Sequence, residues 1–258
     1  MSRRSRYLGV VRTVAWRNLH SALRSPALFL PGLVFPLFFY MAFAGGLSTV
    51  GDLPGFDYYD YNAFQFVFVL LQSAAFGGVF IGFSIAADFD SGFTRRLFLA
   101  AGDRSAVIAG FGVAAVIRAV MVWVMVFAIA LATGLGVAGD GVELSGLIGL
   151  ALIVNVAFFL FAAGAMTRMR TLQAAPAMQL PVFLILMTAP IYVPRELLGG
   201  WIETVSEFNP MTAILEAGRS LMAGDPFHVA LAFAAAAGLA IVLFAWAVGG
   251  LRRAEAAG

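Results

Sequence analysis

The chain has 258 residues, of which 62% are hydrophobic and only 12% are charged, and its mean hydropathy is +0.93. Soluble domains carry about 25% charged residues, so this composition excludes an ordinary soluble domain and indicates a membrane protein. Cysteine is absent, which excludes disulfides, thiol catalysis and cysteine metal ligands. The net charge is +2, and all 16 basic residues are arginines scattered over short segments, which disfavours nucleic acid as a partner.

The first predicted element is an amphipathic helix over residues 7–24. Its apolar residues recur at helical spacing near one face, and arginines occupy other positions. Together with Trp16, this pattern is typical of a helix that lies in the membrane interface. The alternative is a basic flank that only orients the first span. The apolar face comprises Leu8, Val11, Ala15, Leu19 and Leu23.

Six apolar stretches are long enough to cross a bilayer. A hydrocarbon core of roughly 30 Å requires about 20 mostly apolar residues in a helix. The stretches are continuously apolar, without the alternation of barrel strands, so we predict an all-α membrane protein with one transmembrane domain over residues 1–258. The predicted spans cover about 27–49, 62–87, 107–137, 145–166, 173–193 and 228–250.

The arginines set the expected orientation. Thirteen of the 16 lie in the N-terminal segment, the loops after the second and fourth spans, and the C-terminal tail. The loop after the first span instead carries Asp52, Asp57 and Asp60. Because short cytoplasmic loops are enriched in Lys and Arg, we expect a multi-pass protein of the inner (cytoplasmic) membrane with both termini in the cytoplasm.

A substantial loop follows the second span. We predict a short helix over residues 90–101, in which Phe93, Leu97 and Phe98 form an apolar ridge flanked by charges. Such a ridge suits docking into a groove of another protein. The alternative is that this segment lies on the membrane surface.

The connection before the last span, residues 195–224, is too apolar for a solvated loop. It predicts two short amphipathic helices separated at Asn209-Pro210, with Trp201 at headgroup level. Re-entrant half-helices on the outer side are permissible where other protein covers their free backbone groups. We therefore predict outer half-helices in this connection.

Catalytic and metal-binding patterns are missing from the sequence. No phosphate-binding loop with its Lys, no H-E-x-x-H pattern and no G-x-S-x-G elbow occurs, and His20 and His228 are far apart. We therefore expect no enzyme activity, bound cofactor or metal in this chain. Within the predicted spans Arg118 is the single charged residue, and it either snorkels or finds a structural partner, or contributes to a translocation path.

Two motif regions carry a family resemblance. Residues 88–110 contain Asp90, Gly92, Leu97 and Arg104 at family positions, with Gly102 about where the family usually has Pro. With this topology, the chain resembles the membrane (permease) subunit of type-2 ATP-binding-cassette exporters, which include drug-resistance and polysaccharide or lipid export permeases. The second region, residues 193–226, matches at Pro194, Trp201, Asn209, Pro210, Thr212, Glu216 and Arg219.

The resemblance implies a complex that is embedded in the lipid bilayer and contains several other subunits. Two permease subunits, identical or paralogous, would face each other, and two separate cytoplasmic ATPase subunits would bind ATP and Mg. The segment 90–101 would be the coupling helix that contacts the ATPase, and helix 7–24 would brace the same surface. The residues of the segment 90–101 that would couple to the ATPase are Asp90, Gly92, Phe93, Arg95, Arg96, Leu97 and Phe98.

The resemblance also implies an outer gate and a substrate path. Trp201, Asn209, Pro210, Glu216 and Arg219 would belong to the outer gate. An uncharged, aromatic path would suit a drug, a lipid or a lipid-linked glycan. The alternative function is an ion-coupled secondary transporter, for which the spans lack carboxylates. The path would include Arg118 and a stripe on the second span, although such a stripe more often serves helix packing or lipid contact than a substrate surface. The stripe comprises Phe64, Phe68, Gln72 and Phe76.

Overall fold

The structure is a computed structural model, and it describes residues 2–24, 26–93 and 104–256. Within these ranges the chain is helical and contains no strand, which confirms the all-α prediction. Short 3₁₀ helices lie at Ser48–Asp52, Leu172–Ala174 and Arg195–Leu197. The α-helices are α1 (Arg3–Arg24), α2 (Pro26–Gly46), α3 (Tyr61–Asp90), α4 (Arg104–Ala132), α5 (Gly141–Met169), α6 (Ala175–Met187), α7 (Trp201–Phe208), α8 (Pro210–Ala223) and α9 (Val229–Ala256).

Four of these helices are long and apolar enough to cross a membrane: α3, α4, α5 and the part of α9 up to Arg252. Shorter apolar helices occupy Gly32–Gly46 and Pro176–Met187. Each of the six predicted spans overlaps one of these apolar helices, and the number of full crossings stays a prediction. The helix α4 ends at Ala132, earlier than the predicted span end at 137. The helix α6 ends at Met187, earlier than the predicted span end at 193, and buried irregular backbone follows it.

Acidic side chains cap the N-termini of two of the long apolar helices. Asp60 caps α3 by accepting hydrogen bonds from the backbone N–H groups of Asn62 and Ala63. Asp140 caps α5, and Glu143 reaches back to the Asp140 N–H to complete a capping box. These acids satisfy N–H groups that the first helical turn leaves free and complement the positive end of the helix dipole.

The helix α3 forms the centre of the bundle. It packs against α2, α4, α5, α6 and α8. In its most apolar stretch of 18 residues, 83% is buried, whereas the corresponding stretch of α9 is only 11% buried. The helix α9 therefore lies at the periphery, where its apolar side chains face lipid or another protein.

The helices α3 and α5 meet backbone to backbone at Gly78. A Cβ atom on Gly78 would lie 2.5 Å from the carbonyl oxygen of Asn155 and 2.6 Å from the nitrogen of Phe159. One turn away, the buried amide of Asn155 donates to the Ala74 carbonyl at 2.9 Å. Small residues allow such close approach, which lets dispersion and interhelical hydrogen bonds hold helices together in lipid.

The helix α1 lies along α4. Val14, Ala15, Asn18 and Ala22 are buried, and a Cβ on Gly110 of α4 would lie 2.7 Å from the Val14 Cβ. The predicted apolar face is therefore only partly the buried one. Three of the apolar residues of α1 are exposed on the other flank, where they suit contact with lipid: Leu8, Trp16 and Leu23.

We expect Gly78→Ala to lower the free energy of unfolding by about 1–3 kcal/mol, because an added methyl group forces the α3 and α5 backbones apart. Gly238→Ala is the matched control, since no atom lies within 4 Å of a Cβ at that exposed helical position. There alanine should be neutral or stabilising by up to about 1 kcal/mol. Thermal unfolding of the detergent-purified variants measures both effects. Equal melting temperatures for the two variants would contradict this packing.

Candidate functional site

The first candidate site lies where α3 ends. Arg17 of α1 donates two hydrogen bonds to Asp88, Nη1 to Oδ2 and Nη2 to Oδ1, each at 2.6 Å. The Arg17 guanidinium carbon also lies 3.8 Å from the centre of the Phe93 ring, a cation–π contact. The hydrogen bond to Asp88 raises the pKa of Arg17, although its partial burial opposes the rise. One guanidinium thus joins α1, the end of α3 and the first aromatic residue of the predicted coupling segment.

The turn after α3 is fixed by two further contacts. The Asp90 Oδ2 atom accepts a hydrogen bond from the Leu172 N–H at 3.0 Å, which ties α3 to the 3₁₀ turn before α6. Gly92 has a φ of +68°, a left-handed conformation that glycine adopts without strain, and its N–H donates to the Phe89 carbonyl. Asp90 and Gly92 therefore end α3 and set the direction in which the chain leaves it.

Three of the predicted coupling residues, Asp90, Gly92 and Phe93, are thus brought together at the end of α3. The other four lie outside the described residues: Arg95, Arg96, Leu97 and Phe98. Sequence reasoning missed the principal partner of this group, which is the Arg17–Asp88 pair. Both residues are charged and flank membrane segments, but 71 residues of sequence separate them, and no local pattern indicates their contact.

The second candidate site lies at the opposite end of α3, around Arg219. This side chain is only 1% exposed. Its Nη1, Nη2 and Nε atoms donate to the carbonyls of Pro190 (2.7 Å), Ile191 (3.3 Å) and Phe64 (3.3 Å). The guanidinium carbon lies 3.2 Å from the centre of the Phe64 ring. Burial lowers the pKa of Arg219 to about 9, so the group remains a cation at neutral pH.

A buried amide extends this cluster. The Gln65 Nε2 atom donates to the Tyr61 hydroxyl at 2.7 Å and to the Ile191 carbonyl at 3.1 Å, and the Tyr61 hydroxyl donates to the Tyr192 carbonyl at 3.2 Å. Sequence reasoning missed Tyr61 and Gln65. Their spacing of four residues places them on one helix face, and a Gln inside an apolar span is the signal that could have indicated them.

The remaining outer residues have local roles. Asn209 caps α8 by accepting from the Met211 N–H, and its Nδ2 donates to the Ile185 carbonyl at 2.6 Å. Pro210 occupies the first turn of α8, where its missing N–H costs nothing. Trp201 starts α7 and is 70% exposed. Glu216 is half-buried, and this burial raises its pKa, against the opposing charge of Arg195.

The predicted substrate stripe is enclosed within the chain. Phe64, Phe68, Gln72 and Phe76 are all buried, with Phe43 beside Phe68. Neither amide atom of Gln72 has a hydrogen-bond partner among the described residues. Arg118 is also buried, and it borders a cavity of about 20 Å³, room for about one water molecule, together with Ser73 and Gly77. Among the described residues the stripe is buried, and its side chains pack helices together.

We expect Arg219→Lys to lower the free energy of unfolding by roughly 2–4 kcal/mol, because an ammonium group cannot reach all three carbonyls and each charged hydrogen bond is worth about 1.5–3 kcal/mol. Arg195→Lys is the matched control. Arg195 pairs with Glu207 at an exposed position, so its replacement should change stability by less than about 1 kcal/mol. Thermal unfolding in detergent compares the two. An Arg219→Lys protein as stable as the control would show that the three bonds contribute little.

The sequence motifs and the apolar helices agree with a comparison to known families. The family model described as ABC-2 type transporter matches residues 9–223. A search among curated protein sequences gave no match. The matched range includes α1 from Gly9 onward, both candidate sites, and the helices α7 and α8. The chain belongs to the ABC-2 type transporter family and is a transmembrane permease subunit of an ATP-binding-cassette transporter.

Proposed function

We propose that the chain forms the translocation path of an ATP-driven exporter for a hydrophobic or amphipathic substrate, such as a drug, a lipid or a lipid-linked glycan. A separate cytoplasmic ATPase, present in two copies with ATP and Mg, supplies the energy, and a second permease, identical or paralogous, completes the path. The arginine-rich termini lie in the cytoplasm and the protein resides in the inner membrane. The observation that carries the proposal is the Arg17 junction at the start of the segment 90–101.

A docked segment transmits motion only if its base is held by the membrane helices. ATP binding in a separate subunit can bias a membrane conformation through a contiguous, packed element. Here Asp88 is hydrogen-bonded to α1 and Asp90 to the turn before α6. A displacement of the segment 90–101 would therefore act on α1, α3 and α6 together. In the proposed complex, Phe93 and the apolar ridge contact the ATPase. Arg95 and Arg96 pair with acidic groups on it.

The Arg219 cluster supports the proposed outer gate. The three hydrogen bonds of this side chain join α8 to the start of α3 and to the backbone that follows α6. Separating α8 from either element would leave a buried charge without its partners, which costs several kcal/mol. We infer that α8 moves together with the outer ends of α3 and α6. The proposed gate also includes Glu216 and the exposed Trp201.

The proposed path opens where the aromatic stripe of α3 is covered by neighbouring helices. Separation of these helices would expose Phe68 and Phe76, with the unpartnered amide of Gln72 between them. That combination of apolar surface and one polar group fits an amphipathic cargo. An ion-coupled secondary transporter would require a carboxylate inside the spans. The six predicted spans contain no Asp or Glu, which favours ATP as the energy source.

Leu97→Asp should reduce the amount of ATPase that co-purifies with the tagged chain at least tenfold, because a charge replaces the central apolar residue of the docking ridge. Leu53→Asp is the matched control, since Leu53 is exposed in the loop after α2, on the opposite side of the proposed topology. The measurement is affinity purification in mild detergent followed by mass spectrometry of the partners. Full ATPase recovery with Leu97→Asp would rule out docking through residues 90–101, and no ATPase with the unaltered chain would rule out the function.

Arg17→Gln should reduce, several-fold, the stimulation by substrate of the ATPase activity of the complex. The melting temperature of the permease should change little. The pair with Asp88 is partly exposed, so its loss costs at most about 1 kcal/mol of stability, yet the base of the coupling segment is released. Arg24→Gln removes the same charge from an exposed position of α1 and should retain full stimulation. Equal stimulation in both variants would show that the junction has no part in coupling.

A further inference from the structure

An open groove runs between α1 and α4. Its volume is about 710 Å³, within the range of roughly 300–1,000 Å³ that holds small-molecule ligands. The side chains of α1 and α4 line opposite walls of it. The lining residues that matter here are Leu8, Arg12 and Trp16 on α1, with Val113 and Ile117 on α4.

The walls of the groove continue the lipid-facing surface of the protein. Val113 and Ile117 belong to α4, one of the helices that can cross the membrane, and both are exposed. Leu8 (55% exposed) and Trp16 (68% exposed) provide the facing wall on α1. An apolar groove that is open along a spanning helix is accessible to an acyl chain from within the bilayer.

The charge at the groove has a single sign. Arg12 is the charged residue in its lining, and among the described residues it makes no ion pair. The whole of α1 contains arginines and no Asp or Glu. Arginine matches the geometry of a phosphate group, and basic residues beside a membrane attract anionic lipids. The groove therefore offers an acyl-chain surface with an uncompensated phosphate-binding cation at its side.

We propose that this groove binds one anionic phospholipid. Its acyl chain packs on Val113 and Ile117, and its phosphate accepts hydrogen bonds from Arg12. Trp16 lies at the boundary between headgroup and acyl chain, where amphipathic rings are favoured. Because α1 also holds the end of α3 through Arg17, the bound lipid stabilises α1 in the position that this contact requires.

The test measures phospholipid binding to delipidated protein by native mass spectrometry, with titrations of dioleoyl phosphatidylglycerol and dioleoyl phosphatidylcholine. We expect the unaltered chain to retain one phosphatidylglycerol in preference to phosphatidylcholine. Arg12→Gln should weaken phosphatidylglycerol binding about fivefold, the effect of one basic residue at an anionic membrane surface. Arg24→Gln, which removes an exposed arginine of α1 outside the groove, should bind as the unaltered chain does.

A second variant tests the acyl-chain wall without changing charge. Val113→Phe fills the groove and should weaken binding of phosphatidylglycerol to a similar extent, with the melting temperature of the lipid-free protein unchanged. Equal losses in the Arg12 and Arg24 variants would indicate diffuse charge attraction and overturn the site. Unaltered binding in Val113→Phe would overturn the groove as the place of the chain. A change in oligomeric state, without any change in lipid binding, would assign the groove to a protein partner and also overturn the proposal.

Discussion

The packing of α8 against α3 and against the backbone after α6 depends on the three hydrogen bonds that Arg219 donates to backbone carbonyls. In a bilayer, a helix that stops short leaves carbonyl groups that water cannot satisfy. The helix α6 stops at Met187, and Arg219 reaches the carbonyls of Pro190 and Ile191 beyond it, as well as that of Phe64 in α3. The same side chain therefore satisfies the backbone carbonyls that follow the short helix α6 and joins them to α8. The cluster also explains why the guanidinium group of Arg219 can be buried there, because each of its three nitrogen atoms donates to a carbonyl oxygen.

The central helix α3 is held at three heights. Arg219 and Gln65 fix its beginning, the backbone contact at Gly78 fixes its middle, and the Arg17–Asp88 pair fixes its end. At about 1.5 Å per residue, its 30 residues span about 45 Å. Through these contacts α3 connects the Arg17–Asp88 pair at its end with α8 and with the backbone that follows α6. The proposed coupling between a separate ATPase and the helices around Arg219 would use this connection.

The sequence predicted most of the fold, because apolar runs and capping residues act locally. The positions of the six apolar segments, the break at Asn209-Pro210 and the helix 7–24 all follow from patterns within about 25 residues. Pairings between distant segments could not be predicted. The contacts of Arg17 with Asp88 and of Arg219 with Pro190 depend on the packing of whole helices. For the same reason the aromatic stripe of α3 could be recognised, but its burial could not.

The acidic and the basic residues at the two ends of the bundle have different roles, and this difference bears on how the chain is oriented in the membrane. Asp60 and Asp140 are needed as N-caps, since α3 and α5 both begin on that side, so their presence there would be expected in either orientation. Arg12 and Arg24 make no ion pair among the described residues. The prediction that the arginine-rich segments lie in the cytoplasm therefore depends on such arginines and not on the capping acids. The lack of an ion pair among the described residues also leaves Arg12 available to a lipid phosphate.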